Sequence, residues 1–145
     1  MERARILIAD DHAEFLAMVV QLIESEIDLS VVKTYSNGQA IVDESKSVDH
    51  DLLILDISMP GMSGIDAALK LKAANHQAKI VFLTVHKDQD YLRAALATGA
   101  LGYIVKDRLA ADLVPGLREV IAGRRFVSPL LPSGLNRGAA AMPGK

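Results

Sequence analysis

Apolar residues in this chain gather in short unbroken runs, and between the runs they recur at helical spacing. Five runs stand out: Arg5-Ile6-Leu7-Ile8-Ala9, Leu29 to Thr34, Leu52-Leu53-Ile54-Leu55, Lys79-Ile80-Val81-Phe82-Leu83-Thr84 and Gly102-Tyr103-Ile104-Val105. Runs this short and this apolar predict strands buried on both faces. Leu16, Val19, Val20, Ile23 and Ile27 fall at i, i+3, i+4, i+7 and i+11, which predicts a helix with one apolar face. Asn37-Gly38 reads as a turn before a second helix near Gln39 to Ser45, and Gly64 to Ala74 as the third. Asp88 to Ala97 makes a fourth, with Asp88 as N-cap and Gly99 as its C′ residue. Leu113, Leu117, Val120 and Ile121 predict a fifth, ended by Gly123. Pro115-Gly116 falls inside that helix, so a bend at Ala111-Asp112 is expected in preference to a start delayed to Pro115.

Alternating strands and helices imply an α/β fold with a parallel sheet and right-handed crossovers. The expected architecture is a doubly wound, flavodoxin-like five-stranded sheet of order 2-1-3-4-5 with five helices. In that order the first and third strands are neighbours, and ligands belong at the carboxyl edge of the sheet.

Four of the strands deliver a polar group to that edge. The first runs into Asp10-Asp11, the third into Asp56, the fourth ends in Thr84 and the fifth runs into Lys106. Taken singly, each has an ordinary explanation: a helix cap or turn carboxylate, a strand threonine, a solvated edge charge. Side by side they make three carboxylates, one hydroxyl and one ammonium. Two carboxylates about 4 Å apart repel by roughly 4 kcal/mol at an effective dielectric of 20. Three do not stay ionised together without counter-charge. Lys106 supplies one positive charge, and a hard divalent cation would supply the rest. Mg²⁺ suits the set, since it takes oxygen ligands and commonly pairs carboxylates with a phosphate. Transition metals suit it less, because there is no Cys and no His pair at ligand spacing. The cluster reads as a phosphoryl site.

Asp10-Asp11, Asp56 with Met59-Pro60 and Gly64 behind it, Thr84, and Tyr103 three residues before Lys106 resemble the receiver domains of two-component response regulators. The resemblance covers roughly residues 4 to 128. It implies that Asp56 accepts a phosphoryl group from a phosphohistidine on a sensor histidine kinase. It also implies that Asp11, Asp56 and the carbonyl of Ser58 bind Mg²⁺ directly, with Asp10 acting through water. Lys106 would pair with phosphoryl oxygens, Thr84 would hydrogen-bond to one of them, and Tyr103 would then swing inward. Ser58 and His86 occupy positions that in this family flank the phosphoryl group and could modulate its lifetime. Many receivers carry Pro after the lysine, often through a cis bond; here Asp107 follows. By this resemblance the protein is not an enzyme but a switch that promotes its own phosphorylation and dephosphorylation.

Leu83-Thr84-Val85-His86-Lys87-Asp88, Tyr91-Leu92-Arg93-Ala94-Ala95-Leu96, Gly99-Ala100, Lys106-Asp107 and Gly123-Arg124-Arg125-Phe126-Val127-Ser128-Pro129 are similar to the LuxR/NarL-type subfamily. There a linker leads to a helix-turn-helix DNA-binding domain. The expected division is therefore a receiver domain over residues 1–128 and a flexible linker or tail over 129–145. The tail has no amphipathic period and no acidic residue, and is rich in Pro, Gly and Ala. Two readings of it stay open: a linker to a DNA-binding domain absent from this chain, or the tail of a stand-alone receiver acting by protein–protein interaction. The first is favoured, because a linker with nothing to link is less expected. DNA contact would come only through that missing domain, and phosphorylation could drive homodimerisation.

Composition narrows the class further. With 145 residues, net charge −2 and 50% hydrophobic content, the chain is neither a nucleic-acid-binding polycation nor disordered. The absence of Cys excludes disulfides and Cys-based zinc sites. No apolar stretch approaches a membrane span, and Met1-Glu2-Arg3-Ala4-Arg5 runs straight into a strand with no signal peptide, so a cytoplasmic domain without membrane contact is expected. A Mg²⁺-dependent aspartyl-phosphate phosphohydrolase shares the strand-end Asp and the lysine. Such enzymes carry a second Asp two residues after the nucleophile, where this chain has Ser58. A dinucleotide-binding domain needs a Gly-rich turn where Asp10-Asp11 stands. His12, His50 and His76 are expected at the surface with no ligand role.

Overall fold

In the computed structural model, which describes residues 3–130, each apolar run is a strand. The order along the chain is β1 (Ala4–Ala9), α1 (Ala13–Glu24), β2 (Leu29–Tyr35), α2 (Gly38–Glu44), β3 (Leu52–Leu55), α3 (Gly64–Ala73), β4 (Lys79–Thr84), α4 (Gln89–Ala97), β5 (Gly102–Val105), α5 (Leu109–Ile121) and β6 (Phe126–Val127). All strands pair in parallel, in the order β2-β1-β3-β4-β5-β6. The expected 2-1-3-4-5 order is therefore present, with one correction: a sixth strand pairs Gly102 with Phe126 and Tyr103 with Val127. It is too short, and too closely flanked by Arg124-Arg125 and Pro129, to show any hydrophobic period.

Successive side chains on a strand point to opposite faces of the sheet, and both faces are covered. Leu7, Ala9, Leu53, Leu55 and Phe82 pack with Ile41, Ala67, Ala68, Leu71 and Ala95 of α2, α3 and α4. On the other face Ile6, Ile8, Leu52, Ile54 and Val81 pack with Val19 and Ile23 of α1 and Leu113, Leu117 and Val120 of α5. This two-sided burial is why the strand runs are continuous rather than alternating.

Two expectations about helices are corrected, and a third is narrowed. α1 ends at Glu24, where the Ser25 hydroxyl donates to the carbonyl of Leu22, so Ile27 lies beyond the helix and is 76% exposed. α2 stops at Glu44 and is followed by a single 3₁₀ turn, Ser45–Ser47. α5 runs unbroken from Leu109 to Ile121 with Pro115 inside, which excludes the delayed start. Gly116 has its own reason: a Cβ there would stand 2.8 Å from the Phe126 ring and 3.0 Å from Ile104. Asp88 caps α4 as expected, accepting from the amide of Tyr91, and Gly99 follows that helix at φ +94°. Residues 131–145, the greater part of the expected linker, lie outside the described residues. Among the described residues no peptide bond is cis, and no helix is long and apolar enough to cross a membrane.

Candidate functional site

The main chain holds the acids at the carboxyl edge before any side chain is considered. The amide of Asp10 donates to the carbonyl of Tyr35 at 3.0 Å, and that of Asp56 to Ala9 at 3.0 Å, extending the β1 ladders by one bond on each side. Both residues are 3% exposed. The loop after Asp56 then folds tightly back. Gly64 donates to the carbonyl of Ile57 at 2.8 Å, and a Cβ on Gly64 would come within 2.0 Å of the Asp56 carbonyl oxygen. Only glycine allows α3 to begin this close to the strand end, with the Ser63 hydroxyl capping it by accepting from Asp66.

Lys106 follows β5 and opens a 3₁₀ turn that leads into α5. Its ammonium lies 2.9 Å from Asp10 Oδ2 and 3.1 Å from Asp56 Oδ2, and 4.4 Å from the centre of the Phe15 ring. One cation is thus shared by two buried carboxylates. Burial and the neighbouring Asp10 push the Asp56 carboxyl above the ordinary carboxylate range, against the pull of Lys106. Asp11 is more open, with 28% of its side chain exposed. The ligand atoms of Asp10, Asp11, His12 and Asp56 all lie within 4.8 Å of one another. A donor set dominated by carboxylate oxygen, carrying more negative charge than one lysine offsets, fits a hard divalent cation.

His12 was expected only as a surface group. It is 64% exposed, yet Nδ1 stands 3.2 Å from Asp11, 3.3 Å from Asp10 and 3.9 Å from Asp56. Its place directly after an acid pair at a strand end was the available signal. Phe15, whose ring faces Lys106, gave none beyond helical periodicity.

β4 lies between β3 and β5, so Thr84 stands at the edge between Asp56 and Lys106. Thr84 is fully buried, and its hydroxyl oxygen accepts from the amide of His86 at 3.1 Å. The amide of Ser58 similarly donates to Asp56 Oδ1 at 3.3 Å. The side chains of Ser58 and His86 meet at 2.6 Å, and the His86 ring stacks on Tyr91 at 3.8 Å between centroids. Tyr103 is 0% exposed and donates its hydroxyl to the His86 carbonyl at 2.9 Å. Burial raises its phenol well above the ordinary range. Tyr103 thus stands in an inward position.

A doubly covered parallel sheet with three acids and a lysine at its carboxyl edge is the arrangement of a receiver. Residues 6–118 match the family described as the response regulator receiver domain, and the chain belongs to that family. It is 37% identical over 130 residues to the nitrate/nitrite response regulator protein NarL of Escherichia coli (strain K12), covering 90% of this chain and 60% of that protein. It is 36% identical over 126 residues to the transcriptional regulatory protein DesR of Bacillus subtilis (strain 168), covering 87% of this chain and 62% of that protein. The chain therefore spans about 60% of the length of these curated relatives. Among solved structures, a LuxR-family two-component response regulator from Aurantimonas sp. SI85-9A1 superposes with a TM-score of 0.84 at 29% identity, over 88% of this chain and 91% of that one. The receiver domain of RcsB from Salmonella enterica serovar Typhimurium, in the presence of phosphomimetic BeF₃⁻, gives 0.84 at 26% identity, over 94% and 100%. The relatives are of the NarL/LuxR type, as the resemblance implied.

Proposed function

We propose that Asp56 is the phosphoacceptor of a phosphorylation-controlled switch, with a sensor histidine kinase as donor. The observation that carries this reading is the Asp56 carboxylate itself, buried at a strand end with Lys106 at 3.1 Å and two further acids beside it. An Asp56 oxygen attacks the phosphorus of a phosphohistidine; a P–O bond forms, the P–N bond breaks, and the departing imidazole keeps the electron pair. Mg²⁺, held by Asp11, Asp56 and the Ser58 carbonyl with Asp10 acting through water, would offset the charge of the acids and of the incoming phosphoryl oxygens. Lys106 leaves its shared position between Asp10 and Asp56 to pair with a phosphoryl oxygen. The Thr84 hydroxyl donates to another. Ser58 and His86 flank the group and modulate its lifetime.

The phosphoryl group adds about −1.5 to −2 charges at this edge. The response passes through Thr84 and the His86 carbonyl to Tyr103, and so to the surface made by α4, β5 and α5. Output is transcriptional, through a DNA-binding domain outside this chain, with homodimerisation on phosphorylation and a cytoplasmic setting. Beryllium fluoride with Mg²⁺ tests the switch by amide NMR. Shifts should appear at residues 56–58, 84–86 and 103–106 and extend along α4; shifts confined to the acid cluster would contradict transmission.

A further inference from the structure

At the edge of the sheet opposite Asp56, two histidines meet. His50 lies in the segment leading into β3, and His76 in the turn between α3 and β4. Their Nε2 atoms are 2.7 Å apart, the ring centroids 4.9 Å apart and the planes inclined by 21°. Rings stacked face to face at that centroid distance would not bring one nitrogen pair to 2.7 Å. Near-coplanar rings joined head-on would, since the centroids are then separated by the N···N distance and two ring radii. The contact is a hydrogen bond along a common axis.

The protons on this pair are dictated by the surroundings. His50 Nδ1 is 2.6 Å from the carbonyl oxygen of Val48, which can only accept, so that nitrogen carries hydrogen. In a neutral ring the His50 Nε2 is then a lone pair, and His76 must donate to it from its own Nε2. His76 Nδ1 is left as a bare acceptor. Among the described residues it is a buried side-chain nitrogen with no hydrogen-bond partner. The pair therefore has one buried nitrogen that a further proton would occupy, a step that the main chain of Ala78 favours and burial opposes. A single extra proton leaves one N–H facing one lone pair. A second places two N–H groups face to face.

We propose that His50 and His76 form a proton-linked clasp between the entrances of β3 and β4, closed at neutral pH and opened when both rings are charged. The charged groups around it act in both directions: Asp51 attracts a charged His50, and two lysines stand near His76. Asp49 and Asp51 lie on His50's own segment, but both pair with Arg5 of β1, Asp51 through two bonds of 3.1 Å. From α3 and β4, Lys72 and Lys79 share with His76 a cavity of about 350 Å³ that no carboxylate lines. Burial and His50 both lower the basicity of His76, and only the main chain of Ala78 opposes them. A metal ion does not fit between the rings. Two bonds of about 2.0 Å along a common axis need more than 2.7 Å. No third His, Cys, Asp or Glu among the described residues joins the pair in a metal-ligating group.

Long-range ¹H–¹⁵N imidazole spectra of the full chain test this between pH 8 and pH 5. At pH 8, His50 should carry its hydrogen on Nδ1 and His76 on Nε2. Amide exchange over residues 76–79 should rise about tenfold between pH 8 and pH 5. In His76→Gln that rise should be absent. Both rings in the Nε2–H form, or an exchange rise of equal size in His76→Gln, would overturn the clasp. So would stoichiometric Zn²⁺ shifting both rings at pH 8, which would make the pair a metal site.

Discussion

Ser58 Oγ and His86 Nε2 stand 2.6 Å apart, bridging the ends of β3 and β4. Each residue is also tied by its amide to a buried side chain of the site, Ser58 to Asp56 and His86 to Thr84. On the proposed role of Asp56, the bridge lies beside the phosphoryl position. Removing it with Ser58→Ala or His86→Ala should leave phosphorylation intact and speed loss of the phosphoryl group. A hydrogen bond worth about 1 kcal/mol net corresponds to about a fivefold change in rate. Decay followed by intact mass tests this, and decay equal to wild type in both variants would mean the bridge has no part in phosphate lifetime.

Asp56 carries a stability cost at neutral pH. Burial and Asp10 raise its carboxyl, so the folded chain keeps that proton to higher pH than the unfolded chain does. Its stabilising effect is complete below the ordinary carboxylate range and is lost as pH rises through the raised value. At pH 7.5 without divalent cation, Asp56→Asn should melt higher than wild type, by about 4 °C for each kcal/mol relieved. On the proposed Mg²⁺ site, adding Mg²⁺ should narrow the gap, since the amide variant would lose one carboxylate ligand. A metal-free melting temperature at or below wild type would contradict this account of Asp56.

Gly64→Ala probes the loop behind the acceptor. The added methyl would meet the Asp56 carbonyl at 2.0 Å, a backbone atom that no rotamer can move. The expected loss is about 3 kcal/mol, at the upper end of ordinary overpacking. Denaturant unfolding measures it, and a loss below about 1 kcal/mol would mean the loop relaxes freely.

The acceptor edge was legible because parallel strands read as unbroken apolar runs, so the residue closing each run is conspicuous. Asp10, Asp56, Thr84 and Lys106 are all of this kind, and the structure brings them to one edge. Contacts between distant, unpatterned residues were not legible. His50 and His76 each look like a lone surface histidine, yet they are half-buried against one another. The place of Ile27 depended on where α1 is capped, and a hydrophobic period cannot report that. Pro115 left open a bent α5 or a delayed start; the helix begins at Leu109, with Leu113 buried before the proline and Leu117 and Val120 after it.

Another such contact anchors β6. The Ser128 hydroxyl donates to Asp112 at 2.7 Å and accepts from the amide of Val105 at 3.2 Å, while its own amide donates to Tyr103. Arg108 completes the coordination of Asp112 at 2.8 Å and 3.2 Å and holds that carboxyl below its ordinary range. Ser128→Ala should cost about 1–3 kcal/mol, because it removes partners from a buried carboxylate and a buried amide. It should also speed amide exchange at Val105 and Val127. Unchanged stability and exchange would show that β6 is held by its backbone alone.

The central claim is that Asp56 is the residue that takes the phosphoryl group. Intact mass after incubation with Mg²⁺ and a small phosphodonor tests it most directly, with wild type and Asp56→Asn compared with and without the metal. One phosphoryl adduct per chain is expected for wild type with Mg²⁺ and none for Asp56→Asn. An adduct of equal yield in Asp56→Asn, or equal yield in wild type without metal, would contradict the account.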